Sequence, residues 1–143
     1  MVRIGILGCG RIGQVHILSI LKIPNVKLVA IGDSLPSVAE ACSEKYNVPI
    51  REVDEIIEAT DIDAIIIATS SATHYDFIHR IAKTGKAIFC EKPIDLSTDR
   101  VKECATLLHE YRTPFMTAFN QRFDPHFGAL QNRLAAGEIG ELD

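Results

Sequence analysis

One stretch near the start of this chain, Val2–Gly13 (VRIGILGCGRIG), limits what it can fold into more than any other feature. The apolar run IGIL leads into three glycines, Gly8, Gly10 and Gly13, and a helical pattern over Ile12–Leu21 follows. A second strand-like run beginning at Val26 ends at Asp33, about twenty residues beyond the glycines, which is the spacing of a dinucleotide-binding βαβ unit. Gly8 permits a tight turn, Gly10 lets the backbone approach a pyrophosphate, and Gly13 lets the helix lie close on the strand. The amides that open the helix, from Arg11 and Ile12 onward, then face phosphate charge. Glycines punctuate many turns, so the weight lies in the flanking strand and helix and in Asp33.

Asp33 also bears on which nucleotide fits. A carboxylate there accepts hydrogen bonds from the adenosine ribose hydroxyls and repels a 2′-phosphate, whereas an NADP site supplies a nearby Arg. The next residues are Ser34, Leu35 and Pro36, none of them basic, so the reading favours NAD over NADP. The competing account is that Asp33 caps a turn or the next helix.

Other function classes are disfavoured. The net charge is −4 with no basic face, which argues against nucleic acid. The apolar runs are strand-sized, well short of the roughly 18–20 residues of a membrane helix, and the chain enters its first strand with no signal peptide, so a cytoplasmic protein is expected. Cys9, Cys42, Cys90 and Cys104 show no CxxC or metal-ligand spacing and read as free thiols in a reducing compartment, with Cys9 a small filler in the glycine loop. No His/Asp/Glu cluster has zinc spacing and no GxSxG pattern occurs, so no metal site is expected.

Beyond the opening unit, strand-like and helix-like runs alternate. Strands are expected at Val2–Leu7, Val26–Ile31, Ala64–Ala68, Ala87–Cys90 and Pro114–Ala118, and helices at Ile12–Leu21, Pro36–Lys45, Val53–Glu58, Tyr75–Thr84, Thr98–Tyr111 and Pro125–Ala136. The continuous apolar run in Ala64–Ala68 suits a central strand covered on both faces. The pattern specifies an α/β fold, a Rossmann-type doubly wound parallel sheet in three α/β/α layers. Residues 1–123 read as the nucleotide-binding domain, and 124–143 as a helix followed by the start of a further unit. The helix Pro125–Ala136 places Phe127, Leu130 and Leu134 on one stripe, which calls for a covering surface and offers a route to a homo-oligomer.

Ligands bind open α/β sheets at the carboxyl ends of the strands. Three polar loops converge there: Thr69, Ser70, Ser71, Thr73 and His74; Glu91-Lys92-Pro93; and Asn120-Gln121-Arg122. Pro93 biases Lys92 to an extended backbone and allows a cis bond. Lys92 beside a nicotinamide can position a substrate hydroxyl and help move its proton; the bland alternative is a surface lysine paired with Glu91. Glu91 can orient Lys92 or sit near the nicotinamide ribose. His74 can contact the cofactor, though capping or packing at a helix starting at Tyr75 is the preferred reading. His16, His79 and His109 read as packing or partly exposed helix residues.

Taken together, GCGRIG, the TSSATH stretch, KAIFCEKPIDLS and FNQRFDPHF resemble the Gfo/Idh/MocA oxidoreductase family, from Val2 to Leu142. The EKP segment is the specific part. The resemblance implies hydride transfer between a secondary alcohol of a polyol or sugar ring, myo-inositol-like, and a nicotinamide, giving a ketone. It implies a catalytic role for Lys92 and cofactor contacts from Gly8, Gly10, Arg11, Ile12, Gly13, Asp33, Thr69, Ser70, His74 and Glu91, with Asn120 and Arg122 near the nicotinamide. Ala118 and Gln121 depart from the family's usual glycine and arginine, and Gln121 removes a positive charge. The resemblance further implies a C-terminal α+β domain that this chain lacks, so NAD binding with absent or slow turnover is expected of the polypeptide alone. Two alternatives stand beside it: a non-enzymatic NAD-binding or interaction module, and an S-adenosylmethionine methyltransferase, against which the EKP segment argues.

Overall fold

The computed structural model of the protein describes residues 1–138 and 140. Five parallel strands, β1 (Val2–Leu7), β2 (Val26–Gly32), β3 (Ala64–Ile67), β4 (Ala87–Cys90) and β5 (Phe115–Thr117), stand in the order β2-β1-β3-β4-β5. Between them run α1 (Arg11–Ile20), α2 (Pro36–Tyr46), α3 (Val53–Glu58), α4 (Ser71–Ala82) and α5 (Thr98–Glu110), and β5 is followed by a 3-10 turn (Asn120–Phe123) and α6 (Pro125–Ala135). A parallel bridge between Ile31 and Ile50 extends the sheet beyond β2. Counted as a strand, it gives the order 3-2-1-4-5-6 of the doubly wound dinucleotide fold.

Side chains alternate across each strand, so the apolar runs feed two cores. Ile65 and Ile67 of β3 face the layer that holds Ile57 of α3, Ile78 of α4 and Leu108 of α5. Ile66 faces the opposite layer with Ile17 of α1 and Cys42 of α2. Fully burying one such isoleucine is worth about 1.5–3 kcal/mol, and this demand on both faces makes β3 central. The three-layer α/β/α architecture is as expected.

The helix expected from Tyr75 begins instead at Ser71, after an extended Ser70. The inward positions of its first two turns are His74 and Ile78, spaced i, i+4, and His74 is only 1% exposed. A buried histidine stands where an apolar residue would have announced the helix. At the other end α6 forms as expected, with Asp124 accepting from the amides of His126 and Phe127. None of its residues is buried. The further unit expected after α6 falls largely on residues outside the described ones.

The strand order reverses direction at β1. One crossover leads outward to β2, the next returns past β1 to β3, and the carboxyl ends of β1 and β3 therefore frame a crevice.

Candidate functional site

The turn after β1 forms the floor of that crevice. Gly8 has φ +96°, and a Cβ on it would lie 2.5 Å from the Ala68 carbonyl oxygen, so only glycine fits where the turn passes the end of β3. A Cβ on Gly13 would lie 2.0 Å from the Gly8 carbonyl oxygen. The close approach that Gly13 allows is thus between helix and turn, just past the strand. Gly10 differs: a Cβ there meets nothing within 4 Å. Gly10 is also the N-cap of α1, and no side chain caps the helix. The first-turn amides are left for an outside acceptor, and the macrodipole favours an anion.

Asp33 caps a turn, as one of its two sequence readings held, and it also lines the crevice where the other reading places a ribose. Its Oδ2 accepts from the Cys9 amide at 2.8 Å and its Oδ1 from the Leu35 amide at 3.0 Å. The carboxylate braces the glycine turn, starts the turn into α2 and borders the crevice. Cys9 is buried, and that burial, with smaller effects from Cys42 and the Asp33 charge, pushes its thiol up to about 12, as befits a filler. All four cysteines are free and buried.

Three adjoining cavities run along the carboxyl edge of the sheet. The first, about 480 Å³, is walled by Gly8, Gly10, Arg11, Asp33, Thr69 and Ser70. It shares Arg11, Ile12 and Thr69 with a second of about 470 Å³, which reaches His74, Glu91, Lys92 and Asn120. Lys92 and Asn120 continue into a third of about 400 Å³ that includes Arg122. Residues far apart in sequence thus line a row of adjoining cavities, and of the sequence candidates only Gly13 is absent from their walls. A dinucleotide fits this layout: an uncapped helix start with open space at Gly10, an acid at one end and polar groups at the other.

The Lys92 segment is held from two sides. The Lys92–Pro93 peptide is cis. Glu91 does not pair with Lys92: its Oε1 lies 2.8 Å from His16 Nε2, while its Oε2 accepts from the Lys92 main-chain amide at 3.3 Å. Lys92 is exposed, with no ion-pair partner among the described residues. On the other side, His74 Nδ1 lies 2.8 Å from the Pro93 carbonyl oxygen and Nε2 lies 3.2 Å from that of Thr69. His74 therefore ties two loops together and caps nothing at Tyr75. The sequence marked His16 only as a packing or partly exposed helix residue, which its ring against Phe89 matches, and gave no signal of its pairing with Glu91.

Among the described residues no helix is long and apolar enough to cross a membrane, and no group of three His, Cys, Asp or Glu could hold a metal ion.

With this geometry in place, the sequence pattern of the oxidoreductase family GFO_IDH_MocA, with its NAD-binding Rossmann fold, matches residues 2–119. The chain belongs to this family. An inositol 2-dehydrogenase from Rhizobium meliloti is 46% identical over 142 residues, which cover 99% of this chain and 43% of that protein. A scyllo-inositol 2-dehydrogenase (NAD(+)) from Bacillus subtilis is 37% identical over 143 residues, covering 98% of this chain and 42% of that protein. The crystal structure of a scyllo-inositol dehydrogenase from Lactobacillus casei, with bound NAD(H) and scyllo-inositol, superposes with a TM-score of 0.90 at 28% identity, over 99% of this chain and 43% of that one. The chain thus spans less than half the length of these family members.

Proposed function

We propose that the chain is the NAD-binding portion of an oxidoreductase that oxidises a ring secondary alcohol of a polyol or sugar, inositol-like, to a ketone. The observation that carries this reading is the row of adjoining cavities, with shared walls at Arg11, Ile12 and Thr69, that runs from the uncapped α1 amides and Gly10 to Lys92. A dinucleotide's phosphates are held by the amides after Gly10, with Arg11 and Ile12 alongside, and its adenosine ribose by Asp33. Thr69, Ser70 and Asn120 line the path toward the nicotinamide end, and Arg122 lies beyond. Bound NAD supplies the hydride acceptor. Lys92, exposed at the junction of two cavities, orients the substrate hydroxyl and takes part in moving its proton. NAD is preferred to NADP because Asp33 repels a 2′-phosphate and none of the next three residues, Ser34, Leu35 and Pro36, is basic. The end of the family match at residue 119 supports placing the nucleotide-binding unit in 1–123.

The test is a fluorescence titration of the purified chain with NADH and, in parallel, NADPH. Saturable NADH binding with clearly weaker NADPH binding is expected. Absence of NADH binding refutes the reading.

A second reading is favoured by α6, on which Phe127 and Leu130 are 48% and 51% exposed. That face suits a protein contact, including one with a second copy, and the chain would then act as an NAD-binding interaction module. Self-association that Leu130→Asp abolishes while NADH binding persists would support it.

A further inference from the structure

His16 stands on the second turn of α1, the helix whose first turn opens on the cleft. Its ring packs edge-on against Phe89 of β4, with centroids 5.4 Å apart. That contact fixes the ring plane and aims Nε2 at Glu91 Oε1, 2.8 Å away, and both side chains are more than four-fifths shielded from water. The same carboxylate accepts the Lys92 amide through its other oxygen. The Glu91 amide is tied to the Ile67 carbonyl of β3, but freed from His16 its carboxylate would have no partner from outside its own loop among the described residues.

We propose that His16 is a positioning residue. By holding Glu91 it fixes the backbone at Lys92, and it couples the helix that receives the phosphates to the loop that meets the nicotinamide end. The inference rests on the NAD reading above for its functional consequence, but the structural link from His16 to Lys92 stands apart from it. A hydrogen bond to a charged, shielded partner is specific in geometry, so its loss lets the loop sample other positions. The adenosine half of the cleft does not depend on it.

Two measurements test this, on the full chain with His16→Leu, which removes the donor, and His16→Gln, which keeps an N–H donor. The first needs no nucleotide: hydrogen exchange of the Lys92 amide, followed by NMR. Exchange faster by at least fivefold in His16→Leu and near wild type in His16→Gln is expected; equal exchange in all three proteins overturns the proposal. The second compares NADH with ADP, which lacks the nicotinamide riboside. His16→Leu should weaken NADH about tenfold, the size of one lost hydrogen bond to a charged group, and ADP less than twofold, with NADH affinity largely recovered in His16→Gln. Equal losses for both ligands mean a general structural role and overturn it. If wild type fails to bind NADH, the functional reading above falls, and the exchange experiment still decides whether His16 positions Lys92.

Discussion

Replacing Gly10 by alanine separates folding from binding, because the new methyl would meet open space in the protein and, on the proposed NAD reading, a phosphate in the complex. Gly10 has φ −67°, a value alanine adopts freely, and its added Cβ has no neighbour within 4 Å. Two small terms act on stability. Alanine is a poorer N-cap than glycine by roughly 0.5–1 kcal/mol. Against this, a Gly→Ala change at a compatible position stabilises by about 0.4–1 kcal/mol through the unfolded chain. They nearly cancel, so Tm should move by no more than about 2 °C for a chain of this size. Binding is another matter. A phosphate oxygen must come within about 2.9 Å of the first-turn amides, and the methyl stands at the mouth of that approach. Losing even one charge-assisted hydrogen bond costs about 1.5–3 kcal/mol, so NADH affinity should fall at least tenfold. Gly13→Ala is the contrasting case, since its Cβ would lie 2.0 Å from the Gly8 carbonyl oxygen and force the turn to move. Overpacking of this kind costs about 1–3 kcal/mol or more and should lower Tm by several degrees. The assay is a thermal melt and an NADH titration on each variant. A Gly10→Ala protein that melts like wild type and binds NADH equally well would refute the assignment of phosphate to that space.

Two other predictions follow from the same geometry. Asp33→Asn keeps the size of the side chain but turns one acceptor into a donor facing the Cys9 or Leu35 amide; NADH affinity should drop about tenfold while the NADH-over-NADPH preference narrows, and an unchanged preference would show that Asp33 only braces the turn. At the opposite edge of the sheet, hydrogen bonds from the Arg3 side chain and amide hold the Asp63 carboxyl at about 2, below its ordinary 3.8. A depressed carboxylate stabilises the fold above its unfolded pKa and loses that contribution as pH falls, here between about pH 4 and pH 2. Circular-dichroism melts across that window should show a shallower acid decline in Arg3→Leu than in wild type, and parallel declines would contradict the pairing.

The sequence legibly specified the features that depend on local constraint. Glycine spacing and the acid after the second strand marked the crevice because only glycine tolerates the φ of Gly8 and the close approach at Gly13. The run Ile65–Ile67 marked the central strand because a strand covered on both faces has no polar side. Element boundaries were less legible. Polar Ser71 and Thr73 with a buried His74 hid the first turn of α4, since hydropathy does not reveal a histidine whose two nitrogens both face main-chain carbonyls.

What the chain determined by itself, then, was the order of its strands and helices, the glycine turn, the acid at Asp33 and the polar loops at the strand ends, all set by local sterics and periodicity. The tertiary structure alone decided which of those groups meet. Folding the sheet in its observed order brought Glu91 to His16 across 75 residues and Pro93 to His74 across 19. It thereby took the Glu91 carboxylate to His16 and the Lys92 amide and left it unpaired with the Lys92 ammonium, because a pairing partner is chosen by distance and direction in space, and neither is written in the spacing of residues along the chain.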